Sequence, residues 1–521
     1  MLRLGLNRVY VKFNPPGLPF RHKVDVRFIA NRFSILMRHT ALDQVNCILH
    51  RIFPSPPRFK YQVDPSSLKD DILNLDHRIT LNLRQRLAVE QIMRLPPPPV
   101  RFNPFILFGP PGTGKTTTLV MAVIRLLKAS PAYRILVTAP SNAACDAFTD
   151  KLIASGAITW PALVRFVAQS RLQHSKDVKE NVARIISASK QTASHLLEAR
   201  VVVTTLACAG KLMDLGYLAI DEYGRKKISH MQFSHVIVDE AGQADESETI
   251  IGLVFPFARN ARWILAGDPR QLGPVIMSNL AKFCGGMDIS MLERLMRCPL
   301  YDVGHRDHLE DHVVQLVDNY RSHPGIIAVP STLFYGNSLR AMSDRSSLLS
   351  WKELRGAKVP MLARHVAGLQ DREASSPSWF NGLEARTVVE YIVKLINDPT
   401  LQPRVFAKDI VVISPYTQQV RKIRHLLECG NLSECRVGTV EIFQGQESRV
   451  VILSTVRSSL INLESDVKFD IGFLKHAKRF NVAVTRAKEL SIFCGNLDVL
   501  KSDVCWLHLL KYCKSLGRVT R

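Results

Sequence analysis

Gly109-Pro110-Pro111-Gly112-Thr113-Gly114-Lys115-Thr116 fits the phosphate-binding pattern G-x-x-x-x-G-K-[ST] at every fixed position. The apolar residues 105–108 before this stretch predict a buried strand, and residues 117–127 after it predict a helix. A loop between a strand and a helix turns backbone N–H groups toward a phosphate, which the helix dipole also favours. The stretch therefore predicts a nucleoside triphosphate site, with Lys115 at the β- and γ-phosphates and the Thr116 hydroxyl on Mg²⁺.

Composition limits the classes of protein that this chain can belong to. A length of 521 residues with 46% hydrophobic content predicts two to four globular domains. The net charge of +23 predicts attraction to polyanions, to nucleic acid first and to acidic membrane surfaces second. The ten cysteines include no C-x-x-C pair, so the sequence predicts neither structural zinc nor a disulfide framework. Ten such scattered thiols are typical of a protein in a reducing compartment. The cytoplasm is therefore the expected location, with the nucleus as the alternative, and no apolar run is long enough to predict a membrane span.

Short apolar segments alternate with helical stretches from about residue 81 onward. This alternation is typical of a parallel sheet with helices on both faces, that is, of an α/β fold. The first series predicts strands at residues 134–138, 201–205, 235–239 and 263–266. A second series, which starts near Val313, predicts strands at residues 411–414, 436–440, 450–454 and 490–494. Only the first series contains a phosphate loop.

These patterns divide the chain into a small β unit, a linker and two α/β domains. Residues 1–60 contain short alternating runs, such as 8–13 and 24–28, which predict strands of a truncated, barrel-like β unit. A linker is expected at 61–80. The first α/β domain is expected at 81–300, with a helical insertion at about 160–200, and the second at 301–521.

Polar residues at the ends of the predicted strands indicate phosphoryl chemistry. Asp239 can hold Mg²⁺ through its water shell, and Glu240 can polarise the attacking water. Gln271 follows another core strand, at the end where such sheets bind ligands, and can sense the γ-phosphate. The second domain offers Arg321 and Arg486, since an arginine from a neighbouring domain can neutralise charge on the γ-oxygens.

The order and identity of these segments resemble the superfamily-1 nucleic-acid helicases, translocases with two tandem RecA-like domains. Within them, the chain is similar to the branch of the nonsense-mediated-decay helicase, and most similar to the Armitage-like RNA helicases of small-RNA silencing. The resemblance covers residues 81 to 521. It is carried by residues 81–89 (LNLRQRLAV), 109–116, 139–142 (APSN), 238–243 (VDEAGQ), 267–275 (GDPRQLGPV), 319–324 (NYRSHP), 437–447 (VGTVEIFQGQE) and 481–488 (NVAVTRAK). Asp-Glu-Ala-Gly, in place of Asp-Glu-Ala-Asp, argues against superfamily 2.

The resemblance implies a role for each residue of a nucleotide site. Gln85 should read the adenine edge, Tyr320 should stack on the ring, and Glu447 should touch the ribose. Glu240 should be the base, while Gln271, Arg321 and Arg486 should meet the γ-phosphate when the two domains close. Thr116 and Asp239 should hold Mg²⁺. The phosphate loop itself would comprise Gly109, Pro110, Pro111, Gly112, Thr113, Gly114, Lys115, Thr116 and Thr117.

The resemblance also implies a path for nucleic acid across both domains. Short polar side chains at the strand ends suit contacts to the sugar-phosphate backbone that do not depend on sequence. The implied RNA-binding residues are Pro140, Ser141, Asn142, Thr204, Thr205, Thr439 and Val440.

The expected function is therefore that of an ATP- and Mg²⁺-dependent RNA helicase or translocase, moving 5′ to 3′ on single-stranded RNA. The resemblance implies small-RNA silencing or mRNA decay as the setting, silencing or ribonucleoprotein factors as partners, and cytoplasmic ribonucleoprotein granules as the location. Two alternatives stay open: a DNA or dual RNA/DNA helicase of the same superfamily, and an ATP-regulated RNA-binding scaffold. The arginine-bearing segments of the second domain disfavour a nucleotide kinase.

The N-terminal region departs from the family pattern. The predicted β unit is shorter than the barrel that this branch carries, and a cysteine/histidine-rich N-terminal region is absent. We therefore expect either a short paralogue or a sequence that lacks its N-terminal part.

Overall fold

The computed structural model describes the strands, helices and loops that surround the predicted site. The described residues are 2–5, 8–11, 32–53, 80–96, 103–168, 171, 178–188, 193–212, 232–255, 258, 260–276, 278–301, 303, 311–343, 347–373, 376, 378–459 and 472–521. The strand predicted at 24–28 and the linker predicted at 61–80, except residue 80, lie outside them. No helix within these ranges is both long and apolar enough to cross a bilayer.

The N-terminal residues form a hairpin followed by two helices. Strands β1 (Leu2–Gly5) and β2 (Arg8–Val11) pair antiparallel. Helices α1 (Phe33–Gln44) and α2 (Leu49–Ile52) follow, so the expectation of a β unit over residues 1–60 is wrong for residues 33–52. The physical reason is that Ala41, Ile48 and Ile52 are fully buried in the core of the first α/β domain. Arg38 of α1 also forms an ion pair with Asp245 of that domain, with 3.0 Å between Nη1 and Oδ2.

A seven-stranded sheet forms the first domain. Its strands are β3 (Phe105–Phe108), β4 (Ile135–Ala139), β5 (Leu163–Arg165), β6 (Val201–Thr205), β7 (His235–Val238), β8 (Arg262–Gly267) and β9 (Val313–Gln315). They are all parallel and lie in the order β5-β6-β4-β7-β8-β3-β9. The predicted parallel α/β architecture is therefore confirmed for this domain.

Helices cover both faces of the first sheet. In β3, Ile106 and Phe108 pack into the core on one face, while Phe105 and Leu107 pack into the core on the other. A strand that is buried on both faces has no polar side, and this explains its continuous apolar sequence. The helices are α3 (Leu83–Arg94), α4 (Lys115–Ala129), α5 (Asn142–Ala154), α6 (Glu180–Ala188), α7 (Ala193–Glu198), α8 (Leu206–Ala209), α9 (Glu246–Val254), α10 (Asn279–Phe283) and α11 (Met291–Leu295).

Two details of the predicted domain organisation are wrong. Strand β9 pairs with β3, with Val313 opposite Ile106, so the first domain extends beyond residue 301. Strand β5 lies at the sheet edge beside β6, within the stretch expected to be a helical insertion. Both strands have only three residues, and a buried run that short carries no periodic signal that assigns it to a sheet.

A six-stranded parallel sheet forms the second domain, which confirms the prediction of a second α/β unit. Its strands are β12 (Met361–His365), β15 (Ile410–Ile413), β16 (Arg436–Gly438), β17 (Ser448–Ser454), β18 (Ala487–Gly495) and β19 (Arg518–Thr520). Their order in the sheet is β16-β15-β17-β18-β12-β19. Two small pairs accompany the sheets: β10 (Asp318–Asn319) with β11 (Arg340–Ala341), and β13 (Gln370–Arg372) with β14 (Trp379–Asn381).

The second sheet also lies between two layers of helices. In β15, Val411 and Ile413 enter one core, and Ile410 and Val412 enter the other. The helices are α12 (Pro324–Phe334), α13 (Gly382–Ile396), α14 (Thr417–Cys429), α15 (Ala477–Val484), α16 (Leu497–Leu500) and α17 (Val504–Ser515). Short 3-10 turns lie at Val45–Cys47, Ala241–Gln243, Ser347–Ser350, Lys352–Leu354 and Ala407–Asp409.

Replacing Trp506 with Ala is expected to destabilise the second domain by about 3–5 kcal/mol, because a large cavity would remain. The Trp506 side chain is fully buried, and its ring contacts the rings of Phe473, Phe480 and Phe493 edge to face. Urea unfolding followed by circular dichroism measures the change. The control is Val504→Ala on the same helix, where the side chain is 66% exposed and a change within about 0.5 kcal/mol is expected. Equal losses in the two variants would contradict this prediction.

Candidate nucleotide site between the two domains

The phosphate loop lies between β3 and α4, at the carboxyl edge of the first sheet. Gly112 and Gly114 have φ values of 70° and 81°, which residues with a Cβ rarely adopt. A Cβ at Gly112 would lie 2.6 Å from the Cβ of Arg321, and one at Gly114 would lie 2.6 Å from Nε2 of Gln85. Glycine is therefore required at both positions for the backbone curvature and for the close approach of neighbouring side chains. Helix α4 then begins at Lys115, inside the loop motif.

An acidic pair faces this loop from the end of β7. Strand β8 lies between β7 and β3, and because all three strands are parallel, the residues that follow them meet at one edge of the sheet. Lys115 Nζ lies 2.7 Å from Glu240 Oε1 and 3.6 Å from Asp239 Oδ1. Glu240 has a φ of 54°, in the left-handed region, and its other oxygen accepts a hydrogen bond from Gln243. The backbone turn after β7 thus aims the Glu240 carboxylate at the phosphate loop.

Burial and the neighbouring charges shift the pKa values of the two carboxylates in opposite directions. Burial raises the pKa of Asp239 and outweighs the attraction of Lys115. Burial acts in the same direction on Glu240, but the ammonium of Lys115 outweighs it, so the pKa of Glu240 is lowered. Burial likewise opposes the charge of Lys115, yet Glu240 and Asp239 raise its pKa overall. The arrangement holds one lysine charged between two carboxylates, and Glu240 remains an ionised hydrogen-bond acceptor.

Thr116 and Asp239 form a donor set that suits a magnesium ion. Thr116 Oγ1 donates to Asp239 Oδ2 across 3.2 Å, so a hydroxyl and a carboxylate oxygen converge beside the loop. The Asp239 carboxylate is almost completely buried, and a cation beside it would offset the unfavourable burial of its charge. Hard oxygen ligands in small number, completed by water and phosphate, are the set that Mg²⁺ prefers in proteins.

Two arginines reach the same cleft from the second domain side. Arg486 is only 1% exposed, and it donates to Val482 O, Gln446 O and Gln271 Oε1. Burial and then the charge of Arg321 lower the pKa of Arg486, and Glu240 partly opposes this. A guanidinium held this deep is destabilised unless an anion lies near it. An anionic phosphate in the cleft would supply that partner.

Arg321 connects the loop to the ribose end of the predicted site. Its Nε lies 2.7 Å from Glu447 Oε2, and its Nη1 donates to the carbonyl of Thr485. Lys488 Nζ lies 2.6 Å from the other oxygen of Glu447. Burial would raise the pKa of Glu447, but these two cations lower it to about 2. Glu447 is therefore ionised and fixed in position at neutral pH.

The residues predicted for the base end also lie at the loop. Gln85 accepts a hydrogen bond from the backbone N–H of Asn82 and donates to the carbonyl of Thr113, with 3.1 Å between Nε2 and O. Tyr320 is 41% exposed, its N–H donates to the Gly112 carbonyl, and its hydroxyl accepts from Asn82. An exposed aromatic face beside a buried amide suits stacking on a planar base with one polar edge.

A cleft of about 540 Å³ unites these groups. Asp239 contacts two residues that line it, Lys115 and Thr116. Among the predicted residues, the cleft is lined by Gln85, Gly109, Pro110, Pro111, Gly112, Thr113, Gly114, Lys115, Thr116, Thr117, Glu240, Gln271, Tyr320, Arg321, Glu447 and Arg486. Thr80, Ala147, Lys151 and Gly445 also line it, and none of them is among the site residues predicted from the sequence. No local motif marks Lys151, which reaches the cleft only because α5 packs beside α4.

Lys151→Met is expected to weaken ATP binding about tenfold, because an ammonium at the rim of a phosphate site is lost. Lys151 Nζ lies 3.2 Å from Thr117 Oγ1, next to the phosphate loop. The dissociation constant for ATP, measured by fluorescence titration, should rise, while that for adenosine should stay the same. Lys128→Met removes an exposed ammonium from the far end of α4 and serves as the control. Equal ATP affinity in the two variants would contradict a phosphate contact.

The predicted RNA-binding residues form two groups at strand ends. Residues 140–142 follow β4 and residues 204–205 end β6, and these strands are neighbours, with Ala139 opposite Thr205. Thr439 and Val440 follow β16 in the second domain. Ser141 and Thr205 cap the helices that follow them, accepting from Ala144 N and Cys208 N.

The side chains of two residues in this predicted set are inaccessible to RNA in this structure. Thr204 and Val440 are fully buried, because their side chains point into the protein beside their strands. Asn142 is partly exposed, and its Oδ1 accepts a hydrogen bond from buried Arg165. Thr205 is only 8% exposed, and its hydroxyl caps α8. Pro140, Ser141, Asn142 and Thr439 are partly exposed and therefore remain the candidates for direct side-chain contact.

One RecA-like domain carries a phosphate loop and an acidic pair, and arginines near a second such domain complete the site. These features define a P-loop protein with a composite nucleotide site. Comparisons with known proteins agree with this class. Models of AAA domains match residues 80–193 and 169–279, and another matches residues 287–498. The chain is homologous to the Armitage-like helicases, three of which are described next.

Relatives of known name support this family assignment. The chain is 38% identical to the putative helicase mov-10-B.1 of Danio rerio, over 94% of this chain and 48% of that protein. It is 41% identical to the RNA helicase Mov10l1 of Mus musculus, over 84% of this chain and 36% of that protein. It is 31% identical to the probable RNA helicase armi of Drosophila melanogaster, over 97% of this chain and 45% of that protein. The chain thus spans about half the length, or less, of these relatives.

Proposed function

We propose that this chain is the motor of an ATP-dependent RNA helicase that translocates along single-stranded RNA. One observation carries the proposal. Arg486 and Arg321, from the second-domain side, line the same cleft as Lys115 and Glu240 of the first domain. Such a site is complete only when the two domains are together, so ATP binding and hydrolysis can drive their relative motion. The names of two relatives, RNA helicase Mov10l1 and probable RNA helicase armi, support RNA as the substrate.

The charges of the cleft support hydrolysis of the terminal phosphate. Lys115 would exchange its bond to Glu240 for the β- and γ-phosphates, which frees the Glu240 carboxylate to orient and deprotonate water. Arg321 and Arg486 would stabilise the negative charge that develops on the γ-oxygens. Thr116 and Asp239 would hold Mg²⁺, which when bound neutralises phosphate charge.

The nucleic-acid path that we propose crosses the carboxyl edges of both sheets. Ser141 and Thr439 follow strands at these edges, and Thr205 is the last residue of another. The net charge of +23 favours any polyanion, because binding releases counterions from the phosphates. If the two domains take turns in binding RNA tightly as the cleft closes and opens, each ATP that is hydrolysed moves the protein along the strand.

We extend the proposal to direction and setting by analogy with the family. The direction is 5′ to 3′, the setting is small-RNA silencing or mRNA decay with ribonucleoprotein partners, and the location is the cytoplasm and its granules. A helicase that acts on DNA or on both nucleic acids is the second candidate, because the backbone contacts proposed here do not depend on base sequence.

Displacement of streptavidin from biotinylated single strands tests this proposal. With ATP, we expect faster displacement from the 3′ end of RNA than from its 5′ end, and slower displacement from DNA of the same sequence. Equal rates on RNA and DNA would favour the dual-specificity alternative. Displacement from neither end, with RNA still bound, would contradict a translocase and favour the RNA-binding scaffold.

A further inference from the structure

Tyr335 joins the hydrophobic cores of the two domains. It follows α12, whose residues Ile326 and Val329 are buried in the core of the second domain. The ring of Tyr335, in contrast, is buried in a core of the first domain. Its centroid lies 6.3 Å from that of Phe108, the last residue of the strand before the phosphate loop. Tyr335 is therefore a side chain from one domain that is anchored in the other.

The hydroxyl of Tyr335 lies at the centre of a buried polar network. It donates to Asp268 Oδ2 across 2.7 Å and accepts from Asn481 Nδ2 across 2.7 Å. Asn481 Nδ2 also donates to the carbonyl of Arg270, across 2.9 Å. Asn481 belongs to α15 of the second domain, whereas Asp268 and Arg270 directly follow β8 of the first. The hydroxyl thus connects the two domains directly.

The same network continues to the γ-phosphate end of the cleft. Gln271 Nε2 donates to Asp268 Oδ2 across 2.7 Å, and this bond orients the carboxamide so that its Oε1 faces Arg486. Arg486 Nη2 donates to that oxygen across 3.3 Å. Asp268 therefore accepts on one oxygen from both Tyr335 and Gln271.

We propose that Tyr335 is a positioning residue that couples the orientation of Gln271 to the contact between the two domains. The inference rests on the proposed function, since it assigns to Tyr335 a part in the same ATP-driven cycle. When the domains separate, the hydroxyl leaves Asp268, and the Asp268 carboxylate is then free to rotate with the Gln271 side chain. When they close, the hydroxyl fixes Asp268, and Gln271 is held toward Arg486.

Burial of the Asp268 carboxylate makes its charge depend on the hydrogen bonds that it accepts. Asp268 is 4% exposed, so each hydrogen bond that it accepts stabilises its charge strongly. Burial raises the pKa of Asp268, while the bonds from Gln271 and Tyr335 oppose that rise. Loss of the hydroxyl leaves Gln271 and the Arg270 N–H to support the carboxylate, which weakens control over the carboxamide.

Tyr335→Phe tests the inference because it removes one oxygen and keeps the ring. The full chain is used to measure RNA-stimulated kcat and KM for ATP. The affinity for single-stranded poly(U) RNA is also measured, together with the factor by which a non-hydrolysable ATP analogue changes it. We expect kcat to fall about tenfold. We expect KM for ATP, and the affinity for RNA in the absence of the analogue, to stay within about twofold of the wild-type values. We also expect the analogue-dependent change in RNA affinity to shrink at least threefold.

Tyr301→Phe is the matched control. Tyr301 is fully buried in the same core of the first domain, and its hydroxyl donates to the carbonyl of Pro104 across 2.8 Å. Tyr301→Phe loses one buried hydrogen bond and Tyr335→Phe loses two, so we expect the Tm of both variants to fall, and that of Tyr335→Phe to fall further. Tyr301→Phe should keep the wild-type kcat and the wild-type effect of the analogue, because its hydroxyl contacts neither the second domain nor Asp268.

Several results would overturn the inference. A wild-type kcat in Tyr335→Phe, or an equal loss in Tyr301→Phe, would reduce Tyr335 to a structural side chain. A wild-type effect of the analogue would also contradict it, and this readout does not depend on hydrolysis. A wild-type chain without RNA-stimulated hydrolysis or any effect of the analogue would overturn the proposed function itself, and this inference with it.

Discussion

Glu240→Gln is expected to keep ATP bound and to lower the rate of hydrolysis about 10³-fold. The carboxylate of Glu240 lies at the phosphate loop, its backbone conformation directs it there, and Lys115 lowers its pKa. An amide of the same shape can orient water but cannot accept its proton, and a positioned general base contributes about 10²–10⁴-fold. Because the bond between Lys115 and Glu240 weakens in the variant, ATP affinity should be equal or higher.

Single-turnover hydrolysis and equilibrium binding of ATP together measure this effect. Glu248→Gln is the control, because Glu248 lies on the next helix and faces Arg38 at 3.5 Å, outside the cleft. We expect that control to hydrolyse ATP at nearly the wild-type rate. Turnover by Glu240→Gln within about threefold of wild type would refute its role as the base.

Arg486→Ala is expected to lower kcat about 10³-fold while RNA remains bound. Arg486 is fully buried beside the cleft, and it contacts Gln271 across the domain boundary. Its guanidinium is suited to the charge that develops on the γ-phosphate, for which arginines supplied by another domain contribute about 10³–10⁵-fold. Loss of ground-state ATP binding should be much smaller than loss of rate.

A structural loss must be separated from a catalytic one in this variant, since Arg486 also donates to Val482 O and Gln446 O. Arg449→Ala provides the comparison. Arg449 forms an ion pair with Glu489 at 2.9 Å in the second domain, away from the cleft. We expect Arg449→Ala to lose stability but keep kcat. If Arg486→Ala kept its rate, or if Arg449→Ala lost as much, Arg486 would not be an arginine finger.

The chemistry of the first domain could be predicted from sequence because it is local. Residues 109–116 form a continuous motif, and Asp239 and Glu240 directly follow an apolar strand. In a parallel sheet, the carboxyl ends of strands share one edge, so strand prediction alone brings these groups close together. The assignment of Arg321 and Arg486 required family resemblance, since a lone arginine has no pattern that distinguishes it from a surface residue.

Features that depend on tertiary neighbours could not be predicted. The sequence predicts a β unit where helix α1 lies, because the apolar residues of α1 follow no clear helical period, and only packing on the first domain explains the burial of Ala41. Strands β5 and β9 are too short to be assigned from composition. Lys151 and Tyr335 reach the site through helix packing and through the domain boundary, neither of which leaves a local signal.

The most direct test of the central claim is steady-state ATP hydrolysis by the purified chain, with and without single-stranded RNA, beside Glu240→Gln. The composite cleft predicts hydrolysis that RNA stimulates and that the variant loses. An equal rate of hydrolysis with and without RNA would contradict an RNA-coupled motor. Hydrolysis that persists in the variant would contradict the role of Glu240 as its base. An absence of hydrolysis in a wild-type chain that still binds RNA would contradict it as well, and would identify the chain as an RNA-binding scaffold.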